Sequence, residues 1–121
     1  MKILIVEDNP ELLDILKYIL LRDGHTVITA NDGNDGINAY WDHPGIELII
    51  TDYEMPGRNG LELMQSIKAI QKTARIWLTT GNVADFDEIK ERALKFGAEK
   101  VFSKGGPTSL FYGLKESGLI K

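Results

Sequence analysis

Short apolar runs alternate with longer amphipathic stretches along the whole chain. Ile3-Leu4-Ile5-Val6 is an apolar run of strand length, ended at once by Glu7 and Asp8. Asn9 offers a side-chain oxygen to cap a helix. Pro10 suits the first helical position, where a fixed φ helps and a missing N–H costs nothing. Leu12, Leu16, Ile19 and Leu20 follow at helical spacing, and Gly24 stands where a left-handed residue ends a helix. His25 to Ala30 predicts a second strand. Asn31-Asp32-Gly33 is turn chemistry leading into a short helix over 34–41, which Pro44-Gly45 breaks. Leu48 to Thr51 predicts a third strand. A helix follows from about Gly60 to Ile70, with Leu61, Met64, Ile67 and Ile70 on its inner face. Arg75 to Thr80 predicts a fourth strand. A fourth helix spans Asp85 to Phe96, with Phe86, Ile89, Ala93 and Phe96 inward and Gly97 as its stop. Lys100 to Ser103 predicts a fifth strand, and a helix from about Pro107 to Ser117 follows it.

Alternation of strands and helices on this scale implies parallel strands joined by right-handed crossovers, with helices on both faces of the sheet. The strand segments are continuous apolar runs, as a sheet covered on both sides requires. The expectation is a single α/β domain over residues 1–121, with no linker, low-complexity tract or internal sequence repeat.

Composition narrows the function classes. The 121 residues are 43% hydrophobic and 26% charged, enough to close one core. No cysteine is present, which excludes disulfides, a thiol nucleophile and a Cys-based metal site, and fits a cytoplasmic setting. The first apolar run is too short for a signal-peptide core, and no segment approaches the roughly 20 apolar residues of a membrane span. Net charge is −4 and the pI about 5.1, with no basic stripe to act as a nucleic-acid footprint.

In an open parallel sheet, ligands bind beyond the carboxyl ends of the strands. Glu7 and Asp8 follow the first strand and the third ends at Asp52. Thr79-Thr80-Gly81 ends the fourth, and Ser103-Lys104 ends the fifth. If strands one and three are neighbours, three carboxylates meet at one edge. Two charges about 5 Å apart at an effective dielectric near 20 repel by roughly 3 kcal/mol, so the group needs counter-charge or a proton. Lys104 supplies one positive charge, and a divalent cation would complete neutrality. The oxygen-only ligands suit Mg²⁺ or Mn²⁺ rather than zinc or copper. A carboxylate in that setting can serve as a nucleophile toward a phosphoryl group, with the cation and Lys104 offsetting charge on the phosphoryl oxygens. Alone, each residue has a plainer role: Asp52 or Thr80 as a turn residue, Glu7-Asp8 as partners of a helix dipole, Lys104 as a solvated cation. The combination across four tips is what points to chemistry.

These residues resemble those of response-regulator receiver domains, the phosphoacceptor half of two-component signalling, including stand-alone receivers of the chemotaxis and sporulation types. "ILIVEDNP" is similar to the family's first strand and acidic pair. "LIITDYEMPGRNGLEL" is similar to its phosphoacceptor strand, loop and following helix. "IWLTTG" carries the hydroxyl position at Thr80, and "VFSK" the lysine at Lys104. The resemblance covers essentially the whole chain. It implies a flavodoxin-like (βα)5 fold with a parallel sheet of order 2-1-3-4-5. It also implies Mg²⁺ held by Glu7, Asp8, Asp52 and the main-chain carbonyl of Glu54. Asp52 would accept a phosphoryl group from a sensor histidine kinase or a histidine phosphotransfer protein, and Thr80 and Lys104 would bind it. Output would pass to a downstream protein target through helix 4, strand 5 and helix 5. The chain would act as a monomer or a phosphorylation-linked dimer, with no direct nucleic-acid or membrane partner. It would not be an enzyme beyond its own phosphoryl transfer and autodephosphorylation.

Three positions depart from the family pattern. Gly105 follows Lys104 where the family usually has Pro, often after a cis bond. Val101 stands where an aromatic switch residue is usual, with Phe102 beside it. Glu54 places a carboxylate two residues after Asp52, which predicts a changed dephosphorylation rate. Gly105 and Val101 also support an alternative, a non-switching interaction module on the same fold. A nucleotide- or flavin-binding protein is disfavoured, because "EDNP" after the first strand repels phosphate and Pro10 removes a donor. A phosphatase with an Asp nucleophile is disfavoured by the lack of any insertion to cap a substrate. His25 and His43 have no partner acid in a motif, and Trp77 is expected in the core.

Overall fold

The computed structural model describes residues 1–105 and 108–121. Its elements alternate throughout: β1 (Lys2–Val6), α1 (Pro10–Arg22), β2 (Thr26–Ala30), α2 (Gly33–Asp42), β3 (Leu48–Asp52), α3 (Gly60–Lys68), β4 (Ile76–Thr80), α4 (Phe86–Lys95), β5 (Lys100–Ser103) and α5 (Ser109–Glu116). The strands form one parallel sheet in the order β2-β1-β3-β4-β5. This is the flavodoxin-like order that the resemblance implies.

Side-chain alternation along the strands divides the core in two. Leu4, Val6, Ile49, Ile76, Leu78 and Val101 face one layer, packed with Leu61, Met64 and Ile67 of α3 and Ala93 of α4. Ile3, Ile5, Leu48, Ile50 and Trp77 face the other, packed with Leu13, Leu16 and Leu20 of α1 and Leu110 and Leu114 of α5. β3 and β4 are buried along their whole length, whereas the edge strand β2 is only partly covered.

Local chemistry sets the helix ends. Asn9 is extended and its side chain accepts the N–H groups of Glu11 and Leu12 at 3.0 and 3.2 Å, with Pro10 next in line. Asn59 and Glu62 form a reciprocal capping box at the start of α3. Gly24 and Gly97 take positive φ at the predicted stops.

Three expectations about helix faces need correction. α3 ends at Lys68, so Ile70 lies past it and is 73% exposed. Phe96 caps α4 and turns outward, 45% exposed, while Ile89 and Ala93 are buried as expected. In α1 the buried set is Leu13, Leu16 and Leu20, with Leu12 and Ile19 only partly covered. Strand and helix ends shift by a residue or two, and Asp52 is the last residue of β3, at the strand tip as expected. The predicted start of the last helix at Pro107 lies outside the described residues.

Candidate functional site

Strand register brings the chemistry together. Val6 pairs with Thr51, Asp52 with Thr79 and Thr80 with Ser103. Each strand therefore ends within a residue of its neighbour, and the side chains just beyond the tips share one edge. The chain order reverses between β1 and β3, so their following loops diverge and leave a crevice there.

Glu7 and Asp52 are almost completely buried, at 2% and 3% exposure, while Asp8 is exposed. One carboxylate oxygen from each of Glu7, Asp8 and Asp52 lies within 4.8 Å of the others. The Lys104 ammonium reaches across from the end of β5. It donates to Glu7 Oε1 at 2.7 Å and sits 2.9 Å from Asp52 Oδ2. The second Glu7 oxygen accepts the N–H of Asn9 at 3.0 Å. Asp52 Oδ1 is buried and, among the described residues, has no hydrogen-bond partner. The capping asparagine thus does two jobs: its side chain starts α1, and its backbone orients Glu7.

Burial pushes the Asp52 carboxyl up to about 7; contact with Lys104 opposes this, and the nearby Glu7 and Glu54 charges add to it. For Lys104, burial acts to lower the pKa, but its contacts with Glu7 and Asp52 more than offset this and raise it. One lysine does not neutralise the site. The donor set is entirely oxygen, and the orphaned Asp52 Oδ1 offers a free ligand atom in a buried position. The site therefore fits a hard divalent cation such as Mg²⁺.

Thr80 is fully buried at the end of β4. Its hydroxyl donates to the Glu54 carboxylate and accepts the N–H of Asn82 at 3.1 Å. Of the residues predicted for the site, Glu7, Asp8, Asp52 and Lys104 are brought together directly, and Thr80 and Glu54 join each other beside them. Asn82 has no counterpart in the sequence reading, because it acts through a backbone N–H, which residue type does not reveal. Gly60 is a second omission. It opens α3 and donates its N–H to Tyr53 O at 2.9 Å, so close that a β-carbon there would overlap the Asp52 carbonyl oxygen.

Residues 3–111 match the model of the response regulator receiver domain family. The chain belongs to that family. It is 32% identical over 103 residues to the transcriptional regulatory protein CpxR of Escherichia coli, covering 85% of this chain. The receiver domain spans only 42% of that relative's length. A response regulator receiver domain protein from Clostridium thermocellum superposes with a TM-score of 0.83 at 28% identity, over 98% of this chain and 93% of that one. The response regulator TrrA from Thermotoga maritima, solved in complex with Mg²⁺-BeF, superposes with a TM-score of 0.77 at 28% identity, over 98% of both chains. No helix among the described residues is long and apolar enough to cross a membrane.

The departures noted in the sequence have structural counterparts. Val101 is buried on the α4 side of the sheet. Phe102 lies on the opposite face, edge-on to Trp77 with ring centroids 5.4 Å apart, so it does not replace an aromatic at position 101. No cis peptide bond occurs among the described residues, so the Lys104–Gly105 bond is trans.

Proposed function

We infer that this receiver domain is a phosphorylation switch whose acceptor is Asp52. The observation that carries the reading is the pairing of Lys104 with both Glu7 and Asp52, beside a buried Asp52 oxygen that has no partner. The Asp52 carboxylate attacks the phosphorus of a phosphohistidine on a sensor kinase or a histidine phosphotransfer protein. The P–N bond breaks as the P–O bond forms, and the electron pair returns to the imidazole ring. Lys104 stays within reach of Asp52 and offsets negative charge on the transferred group. Mg²⁺, or Mn²⁺ in its place, would be held by Glu7, Asp8, Asp52 and the Glu54 main-chain carbonyl. When bound, it neutralises the acidic cluster and polarises the phosphoryl oxygens. The Thr80 hydroxyl is the donor on the β4 side.

The domain carries out only its own phosphoryl transfer and its own dephosphorylation, in which water takes the group from Asp52 as inorganic phosphate, and it turns over no other substrate. Output passes to a protein target through α4, β5 and α5. Exposed Leu94 and Phe96 near the end of α4 and exposed Tyr112 on α5 support this surface. A groove of about 380 Å³ beside Lys104, lined by Asn9, Glu11, Leu12, Ile15, Gly105 and Leu110, gives a phosphodonor a way in. A cytoplasmic location follows from the kinase-facing role.

Intact-mass measurement after incubation with acetyl phosphate, with and without Mg²⁺, tests the reading on this chain and on Asp52→Ala. A single Mg²⁺-dependent phosphoryl adduct, absent from the variant, is expected. No adduct on either protein, together with no beryllofluoride binding, favours the non-switching interaction module instead. Burial of the aliphatic Val101 in place of a movable ring is the observation that keeps that second reading in view.

A further inference from the structure

The hydroxyl of Thr80 has a single proton, and its direction is fixed from two sides. Asn82 N–H occupies one lone pair of Oγ1 at 3.1 Å. Asn82 is itself pinned: its Oδ1 accepts Asp85 N–H at 3.0 Å, and its Nδ2 donates to Asp85 Oδ2 at 3.2 Å. A hydroxyl offers one donor and two acceptor sites. With Asn82 on the acceptor side, the proton points to the Glu54 carboxylate. Glu54 is exposed and Thr80 is fully buried, so the acid reaches inward to hold a hydroxyl that the fold has already oriented.

The oxygens of a phosphoryl group on Asp52 are acceptors and need that same proton. Two acceptors cannot share it at full strength, so one displaces the other. We propose that Glu54 is a latch: it engages Thr80 in the unphosphorylated domain and must let go before Thr80 can donate to the phosphoryl group. This rests on the reading of Asp52 as phosphoacceptor and adds a control element to it. Glu54 is a positioning residue here, acting through Thr80. Its carboxylate also repels the incoming anion through space, but that effect does not depend on the Thr80 hydroxyl. The two contributions are therefore separable by experiment.

The test measures affinity for beryllofluoride with Mg²⁺ on the full chain, in the wild type, Glu54→Ala, Thr80→Val and the double variant. The latch predicts that Glu54→Ala tightens binding about tenfold, which corresponds to roughly 1.4 kcal/mol. It predicts that most of this gain disappears in the Thr80→Val background, because no hydroxyl remains to be released. A gain of the same size in both backgrounds overturns the latch and leaves Glu54 acting by charge alone. No gain from Glu54→Ala overturns it as well. Absence of binding to all four proteins sinks the phosphoacceptor reading, and the latch with it.

A second measurement does not need Thr80→Val to fold. In Glu54→Ala without beryllofluoride, the Thr80 methyl and Asn82 amide resonances should move toward their positions in the beryllofluoride-saturated wild type. Resonances that stay at the wild-type positions contradict the latch.

Discussion

Val83 lies over Gly105. A β-carbon built on Gly105 would overlap a Val83 methyl and come within 3.4 Å of Ser103 Oγ. Gly105 does not have positive φ, so its conformation does not demand glycine; the space does. Val83 is 66% exposed, on the segment between β4 and α4 that also carries Asn82. The loop after Thr80 thus rests on the loop after Lys104.

This contact leaves no room for a β-carbon at the position after the lysine, and it makes a prediction. Gly105→Ala should destabilise the domain by about 1–3 kcal/mol, the usual cost of overpacking. Gly105→Ala combined with Val83→Ala should recover most of that loss, since removing the methyls reopens the space. Urea unfolding of the two single variants and the double variant measures this. Additive losses would mean that the two side chains do not share the space.

Gly60 carries a comparable constraint that cannot be relieved. Its added β-carbon would meet the Asp52 carbonyl oxygen, which is backbone, and Leu78 Cδ2 from the core. Backbone cannot rotate away, so either α3 or the end of β3 must move. Gly60→Ala is expected to cost about 1–3 kcal/mol despite alanine's better helix propensity. It should also slow phosphorylation by acetyl phosphate, because Asp52 moves with its carbonyl. Wild-type stability in a melting experiment would show that the start of α3 yields freely.

The strand–helix alternation and the polar residues at the strand tips were legible in the sequence for a physical reason, whereas the strand order came only with the resemblance. A parallel sheet buried on both faces leaves continuous apolar runs, and the polar residues that interrupt them mark the tips. Asp52 stood out because three β-branched residues, Ile49, Ile50 and Thr51, lead directly into it. Helix ends were less legible. Ile70 and Phe96 keep the apolar spacing of their helices, but α3 stops at Lys68 and α4 at Lys95, and spacing alone carries no stop signal. The Glu54–Thr80 bond was not legible at all. It joins residues 26 positions apart, and its geometry depends on a loop conformation that residue types do not encode.

At the opposite end of the sheet, the Arg75 guanidinium grips Glu99 through two hydrogen bonds, at 2.9 and 2.7 Å, and Trp77 Nε1 adds a third at 3.2 Å. The Arg75 contact holds the Glu99 carboxyl down at about 2. Because the folded-state pKa is depressed, the pair's contribution is complete above the ordinary carboxylate range. It is lost as pH falls from about 4.5 toward 2. Both side chains are about 40% exposed, so solvent screening keeps the contribution small. Glu99→Gln should cost no more than about 1 kcal/mol at neutral pH. It should leave acetyl phosphate reactivity unchanged, which makes it a control for variants at the other end.

Asp52 has the opposite linkage. Its carboxyl is raised to about 7 by burial, so the folded domain binds this proton more tightly than the unfolded chain does. Ionising Asp52 in the fold therefore costs stability. The cost is absent below the ordinary carboxylate range, grows as pH rises from about 4, and is complete above about 7. With divalent ions removed by EDTA, Asp52→Asn should be more stable than the wild type at pH 8, by on the order of 1–3 kcal/mol. The two proteins should converge near pH 4. Mg²⁺ at millimolar concentration should raise the melting temperature of the wild type at pH 8, because an ion that binds only the folded state stabilises it. The same addition should do less for Asp52→Asn, which has lost a charged ligand. Thermal melts of both proteins across this pH range, in EDTA and in Mg²⁺, decide the matter. A wild type that is the more stable of the two at pH 8 in EDTA would mean that Lys104 more than compensates for the buried acids, and that the site needs no cation to hold its charge.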